Sequence, residues 1–253
     1  RLASLGGTVE TGVRVDSLAQ LPDARVVLLD LSPRAVLRIA GDRLAGRVSR
    51  AFKRYRYGPA VFKLDLAVEE GIPWAYEACA RAGTVHVGGT LEEIAASEAK
   101  VHRGRMPARP FMLVGQQYLA DPSRSKGNVH PVWTYAHVPN GYTGDATEPM
   151  LAQIERFAPG FRERIVATHV TTTAEIEAYN PNYIGGDIST GANSPLQVVF
   201  RPRLALDPYA AGSNVFICSA ATPPGAGTHG MCGANAARSA LRVLGVRRTG
   251  AST

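Results

Sequence analysis

One stretch near the end of the chain leaves little choice of local structure. Residues 214–245, "NVFICSAATPPGAGTHGMCGANAARSALRVLG", run from an apolar strand through a turn of small residues into a helix. The helix is rich in Ala, Gly and Ser, so it can pack closely on a sheet. The turn contains a literal Gly-x-Gly-x-x-Gly at Gly225, Gly227 and Gly230. A dinucleotide fingerprint needs a βαβ unit of about 30 residues, with an acidic residue about 20 positions beyond the glycines. Here 23 residues follow Gly230, and no Asp or Glu follows Asp207. The string therefore occurs without the fingerprint's context. Its chemistry is still specific. Glycines let backbone approach a flat ligand, and a helix N-terminus offers N–H groups and partial positive charge to an anionic part of it.

The rest of the chain falls into three textures. Residues 1–46 read as β-turn-β and then a helix. "GGTVETGVRVDSL" alternates apolar and polar residues, as a half-buried strand does, and "ARVVLLDLSP" reads as a strand buried on both faces. Ser32 and Pro33 open a helix that Gly41 ends. Residues 47–170 alternate short strands ("AVFKLDLAV", "TVHVGGT", "FMLVGQQ", "PVWTYAHV") with helices. "TLEEIAASEAKVHRG" carries a capping box at Thr90 and Glu93 and a terminating Gly104, and "MLAQIERFAPG" is a helix stopped near Pro159. This pattern predicts a mixed or antiparallel sheet with one covered face. Residues 171–253 add a capped helix broken at Asn180-Pro181, the turn "GGDIS", the final strand and helix, and a frayed tail, "VRRTGAST". The class is α/β with α+β character.

Composition excludes several functions. No apolar run approaches the ~18 residues that span a bilayer. Three widely spaced cysteines make a disulfide framework improbable on arithmetic and point to a reducing, cytoplasmic setting. The chain has 28 basic residues against 21 acidic, and "RVSRAFKRYRYG" concentrates the excess. Without an accompanying nucleic-acid motif it reads as a solvated helix end running into a strand, so no nucleic-acid partner is expected. Cys218, His229 and Cys232 lack the second ligand pair that a structural zinc needs, so no metal is expected. Ser219 and His229 have no Gly-x-Ser-x-Gly elbow and no acidic third member.

"SAATPPGAGTHGMCGANAARSAL" resembles the C-terminal flavin-binding motif of phytoene desaturase-like oxidoreductases, the phytoene dehydrogenase-related group of the flavin amine oxidase class. "GTVHVGGTLEEIAASE", "HVPNGYTGDATEPMLAQIERFAPGFRERI" and "EAYNPNYIGGDIS" extend the resemblance over nearly the whole chain. It implies a partial FAD-binding domain (1–46 and 171–253) with an inserted substrate domain (47–170). The activity implied is an FAD-dependent dehydrogenase, desaturase or isomerase acting on an apolar, polyene or lipid-like substrate. Peripheral membrane contact is one setting for such a substrate. Members of the family open with a strand and Gly-x-Gly-x-x-Gly turn that this sequence lacks. The expectation is a C-terminal portion whose FAD site is completed by a missing N-terminal half or a second chain, with the strand edge at "VVLLDL" short of a neighbour. The alternative is a non-catalytic binding or assembly subunit.

By match, the resemblance assigns FAD contacts to Val15, Gly186, Asp187, Ser219, Pro224, Gly225, Gly227, Thr228, His229, Gly230 and Met231. Gly185 belongs to the same matched turn as Gly186 and Asp187, and Asp30 and Pro33 are weaker candidates. Val15 reads equally as a core strand residue, and "GGDIS" equally as an Asx-type turn. His229 is open to a proton-moving role beside a flavin, or to orienting the turn. Catalytic residues are not assigned.

Overall fold

Residues 1–227 and 229–246 are described by the computed structural model, so Thr228 and the tail expected at 247–253 lie outside the described residues. The chain divides into two units, Arg1–Tyr55 with Pro195–Thr253, and Arg56–Ser194. The fold is α/β, with a parallel strand pair in the first unit and an antiparallel sheet in the second. No helix among the described residues is long and apolar enough to cross a membrane.

The first unit is organised by two short strands, β1 (Val27–Leu29) and β7 (Val215–Ile217), paired in parallel with Leu28 opposite Phe216. All three residues of β7 are buried. The β1 strand is shorter and more exposed than expected: Leu28 is 39% exposed, and no other strand pairs with β1 among the described residues. Helix α1 (Pro33–Ala40) follows β1 as expected, with the Ser32 hydroxyl accepting from Ala35 N at 3.3 Å. It buries Val36, Ile39 and Ala40 and packs on α2 (Gly46–Lys53), which buries Val48 and Phe52. A short helix, α6 (Pro195–Val199), precedes β7. Helix α7 (Met231–Val243) follows it and buries Cys232, Ala236, Ser239 and Ala240, small side chains that let it lie close to β7.

The strand expected in "GGTVETGVRVDSL" is not formed, and residues 6–17 carry no strand. Alternation alone does not make a strand, because every N–H and C=O needs a ladder partner, and this segment meets no other strand. Its ordered feature is a turn at Leu18–Gln20, where Ser17 and Gln20 form a capping box.

The second unit is a five-stranded antiparallel sheet in the order β3-β4-β5-β2-β6. Its centre is β2 (Ala60–Glu69) against β5 (Val129–Val138), paired over ten residues from Ala60–Val138 to Glu69–Val129. Strands β3 (Thr84–Val87) and β4 (Met112–Gly115) extend one side, and β6 (Ile165–Thr171) closes the other. Alternation gives each strand two faces. Phe62, Leu64, Leu66, Val68, Val132, Ala136 and Val138 point into a core with Met150 and Ile154 of α4 (Thr147–Glu155) and with Phe161. Helix α4 begins and ends earlier than the sequence pattern suggests. Its last turn gives way at Arg156 to the Phe157–Phe161 turns, which themselves fill the core. Buried Gln116 ties the 77–81 turn to the sheet: it accepts from Trp74 Nε1 at 3.0 Å and donates to Cys79 O at 2.8 Å and Ala82 O at 2.7 Å.

The units part at 55/56 and 194/195 rather than at 46/47 and 170/171. Helix α2 belongs with α1. Residues 171–194, including α5 (Thr173–Tyr179), are fastened to the second sheet: Thr173 Oγ1 donates to Tyr142 O at 2.6 Å, and Asn140 Nδ2 donates to Gly58 O at 3.0 Å and Ile184 O at 2.9 Å.

Helix α3 (Leu91–His102) carries the expected Thr90–Glu93 capping box. Arg156 chiefly, then the Thr90 N–H and Arg109, hold the Glu93 carboxyl down to about 2 from an ordinary 4.5. A depressed carboxyl contributes stability that is complete above its unfolded value and is lost as pH falls. Thermal melts should therefore show a falling midpoint from about pH 4.5 towards about 2, and Glu93→Gln should flatten part of that slope.

Candidate functional site

In a parallel pair the carboxyl ends of both strands lie at one end, and ligands of open α/β sheets bind outside that end. Here both strands lead into helices there: β1 through Ser32 into α1, and β7 through residues 218–230 into α7. The Ser219 hydroxyl joins the two exits by donating to Leu31 O at 2.7 Å. Beneath the turn the bonding is dense. Thr222 Oγ1 donates to Ser219 O at 2.8 Å, Gly225 N to Thr222 O at 2.8 Å, and Tyr209 OH to Pro223 O at 3.0 Å. The buried Cys232 thiol donates to Thr222 O at 3.4 Å and Gly225 O at 3.3 Å. Burial, then Asp30 and Cys232, push the Cys218 thiol up to about 11, so it is held as a neutral thiol.

Above this base the apex is open. Ala226, Gly227, His229, Gly230 and Met231 are exposed, with Met231 at 38%. Gly230 is the N-cap of α7 in the left-handed conformation (φ +63°), has no side chain to cap the helix, and faces open space where a Cβ would stand. His229 Nδ1 accepts from Met231 N at 3.0 Å, the turn-orienting arrangement. The ring lies so close to Gly227 (φ +151°) that a Cβ there would sit 2.7 Å from His229 Cδ2. This donor set suits one edge of a flat anionic or polar ring: exposed backbone, no Cβ, and the positive end of a thirteen-residue helix.

The other assigned residues are placed differently. Val15 is half-buried in a coil, outside any strand. Pro224 is exposed beside the apex, Asp30 is exposed, and Pro33 is buried in the first turn of α1. Thr228 lies outside the described residues. Gly185, Gly186 and Asp187 belong to the second unit. A Cβ on Gly186 would stand 2.9 Å from Thr173 Cβ and 3.0 Å from Ala60 Cβ, so this glycine allows close packing. Asp187 is fully buried, and its carboxylate accepts from Ser189 N at 2.8 Å, Gly58 N at 2.7 Å and Gly191 N at 2.8 Å. The Ser189 bond is the Asx turn, the Gly191 bond closes the loop after it, and the Gly58 bond bolts that loop to the segment entering β2.

Sequence reasoning missed a second feature. On the face of the sheet opposite the α4 core, β5 carries Trp133, Tyr135 and His137, all half-buried. Their rings stack in order, Trp133 on Tyr135 at 5.9 Å and Tyr135 on His137 at 6.2 Å between centroids. Phe111 meets His137 edge-on at 6.0 Å and stacks on His86 at 5.7 Å, so five rings run as one ribbon. Trp133 lies flat over β4 because Gly115 has no Cβ, which would stand 2.1 Å from its ring. The signal was present in "PVWTYAHV": ring residues at alternate positions share a face.

No family model matches the chain, and no curated protein matches it. Among solved structures the fold is similar to an oxidoreductase from Methanosarcina mazei, with a TM-score of 0.54 and 13% identity. The likeness covers 90% of this chain and 44% of that one, so the chain spans less than half the length of the protein it matches.

Replacing Asp187 with Ala leaves three N–H groups without their acceptor, those of Gly58 and Gly191 buried and that of Ser189 partly so, and each buried one costs about 1–3 kcal/mol. The Asp187→Ala chain should lose about 3 kcal/mol or more of unfolding free energy in a denaturant titration. Unchanged stability would show that the bolt does not hold the loop.

Proposed function

We propose that the chain is a portion of an FAD-dependent oxidoreductase acting on an apolar, polyene-like substrate by dehydrogenation, desaturation or isomerisation. The observation that carries this reading is the open glycine apex at the N-terminus of α7, set at the carboxyl end of a parallel strand pair. The residues there fit the polar edge of an isoalloxazine ring. Gly230 leaves room for a flat ring, Gly227 lets the His229 ring lie against the turn, the positive end of the helix dipole favours the ligand's electron-rich edge, and His229 fixes the turn through Met231 N. Ser219, Thr222 and Cys232 hold the turn from below.

When bound, a flavin supplies the redox chemistry, and the protein positions the substrate and tunes the ring. The similar fold of the Methanosarcina mazei oxidoreductase supports the class. The ring ribbon on the second sheet supports a flat, apolar substrate. Three unpaired cysteines suit a reducing, cytoplasmic setting.

A second reading has its own observation. Parallel sheets are ordinarily covered on both faces and flanked by further strands, yet among the described residues β1 has one neighbouring strand, and Leu28 is exposed. A chain that works as an assembly subunit, with a partner's strand completing that edge, explains this equally.

Titration of FAD into the purified chain, followed by flavin fluorescence, separates the two. The first reading expects saturable perturbation of the flavin. Gly230→Asn should weaken it about tenfold, because Asn tolerates the left-handed backbone while its side chain fills the approach. The melting midpoint should stay within about two degrees. No perturbation by the unaltered chain means that it does not hold FAD by itself, and repeating the titration with a completing segment or partner then decides between the two.

A further inference from the structure

Between the start of β2, the C-terminal half of α3 and the outer face of β5 lies a pocket of about 130 Å³ that includes Gly58, Val61, Glu98, Tyr135, His137 and Ser189 in its walls. Its volume is close to that of cavities that accept a single benzene ring, about 150 Å³. Two of its side chains present complementary hydrogen-bonding atoms. His137 Nδ1 lies 3.1 and 3.0 Å from the two oxygens of Glu98. A carboxylate only accepts, so in the neutral ring the hydrogen stands on Nδ1 and Nε2 is left as an acceptor. That Nε2 makes no hydrogen bond among the described residues, and neither does the Tyr135 hydroxyl, which can donate. Both rings are half-buried and stacked on each other, so their orientation is fixed by packing. Asp187 also lines the pocket, but its carboxylate is occupied by three backbone N–H groups.

We propose that this pocket receives the hydroxyl-bearing, ring-sized end of a ligand whose flat body lies along the Trp133–Tyr135 stack. A hydroxyl satisfies both partners at once: it donates to His137 Nε2 and accepts from Tyr135 OH. A hydrocarbon end leaves both half-buried polar atoms unpaired and loses affinity. Glu98 is the positioning residue, since it sets which nitrogen of His137 accepts. The inference rests on the oxidoreductase reading only in taking this ligand for the substrate. It narrows the substrate from a pure hydrocarbon to a hydroxylated one.

The test uses the full chain without flavin, so failure here and failure of the flavin titration are read separately. Benzyl alcohol and ethylbenzene have nearly the same shape and differ by a hydroxyl for a methyl. Binding of each is followed by NMR through the Trp133 indole and His137 ring signals. The alcohol should bind about tenfold more tightly than the hydrocarbon. His137→Phe, which keeps a stacking ring, should equalise the two while the Trp133 signal still responds. Tyr135→Phe should lower the preference as well. In Glu98→Gln the amide can donate to Nδ1 and move the hydrogen to Nε2. Benzyl methyl ether, which only accepts, should then gain on the alcohol. Equal affinity for the unaltered chain, a preference that survives His137→Phe, or no binding of either probe overturns the proposal.

Discussion

The second unit depends on the ten-residue ladder between β2 and β5. Because strand side chains alternate, the pairing that puts Phe62, Leu64, Leu66 and Val68 in the core also puts Val132, Ala136 and Val138 there. The same register decides the opposite face. Trp133, Tyr135 and His137 line up with Asp65, Lys63 and Val61 on β2, and with Gly115 and Leu113 on β4. A slip of one residue would drive Trp133 into the space of Val132 and Thr134, and would strip the ring ribbon from the sheet. The core and the ring face are therefore one constraint seen from two sides, and the apolar drive that forms one fixes the other.

In the first unit the constraint is smaller and more local. A parallel pair of three residues per strand carries few ladder bonds, and its hold on the segments around it comes from side chains. Ser219 reaches Leu31 O, Asn214 reaches Ala24 O at 3.3 Å, and Arg203 donates to Asp207 O at 3.0 Å and Ala210 O at 2.7 Å. Ser239 and Arg242 of α7 meet the Asp207 carboxylate, so the last acidic residue of the chain anchors the last helix. Such a unit holds a turn rigidly from below while leaving its apex bare. That division of labour suits a surface that meets a ligand.

What was legible in the sequence follows from where the signals lie. Caps were read correctly because they are local: Ser32 at α1 and Thr90 with Glu93 at α3 each need only four consecutive positions and a backbone N–H, and the capped helix expected near 171–180 proves to be capped by Thr172 with Glu175. Strands β2, β3, β4, β5 and β7 were legible because each buries at least one face. Strand β6 was not. It lies at the sheet edge, with Val166 and its neighbours exposed, so burial never imposed a pattern on it. The opposite error occurred at 6–17, where alternation was present and no partner strand was. At the site, the glycine apex was legible from composition. Asp187 was read as a ligand contact or an Asx turn, and only coordinates distinguish a carboxylate facing solvent from one enclosed by Gly58, Ser189 and Gly191. The Glu98–His137 pair was invisible because a helix and a strand thirty-nine positions apart supply it.

The face that carries the rings is informative because of what lies beside it. An antiparallel sheet needs only one covered face, and its other face is ordinarily polar. The middle of β2 obeys this rule: Lys63 and Asp65 point outward and pair with each other. Strand β5, hydrogen-bonded to β2 throughout its length, breaks it with Trp133, Tyr135 and His137 at the matching outward positions. Folding does not require this, since the core on the opposite face is complete without them. Rings of this kind expose apolar surface that costs about 25 cal/mol per Å² to keep wet, and Gly115 gives up a side chain so that Trp133 can lie flat. The outer face thus departs from the solvated pattern along β5, and the ribbon continues through Phe111 to His86 of β3, an arrangement that the core on the other face does not impose.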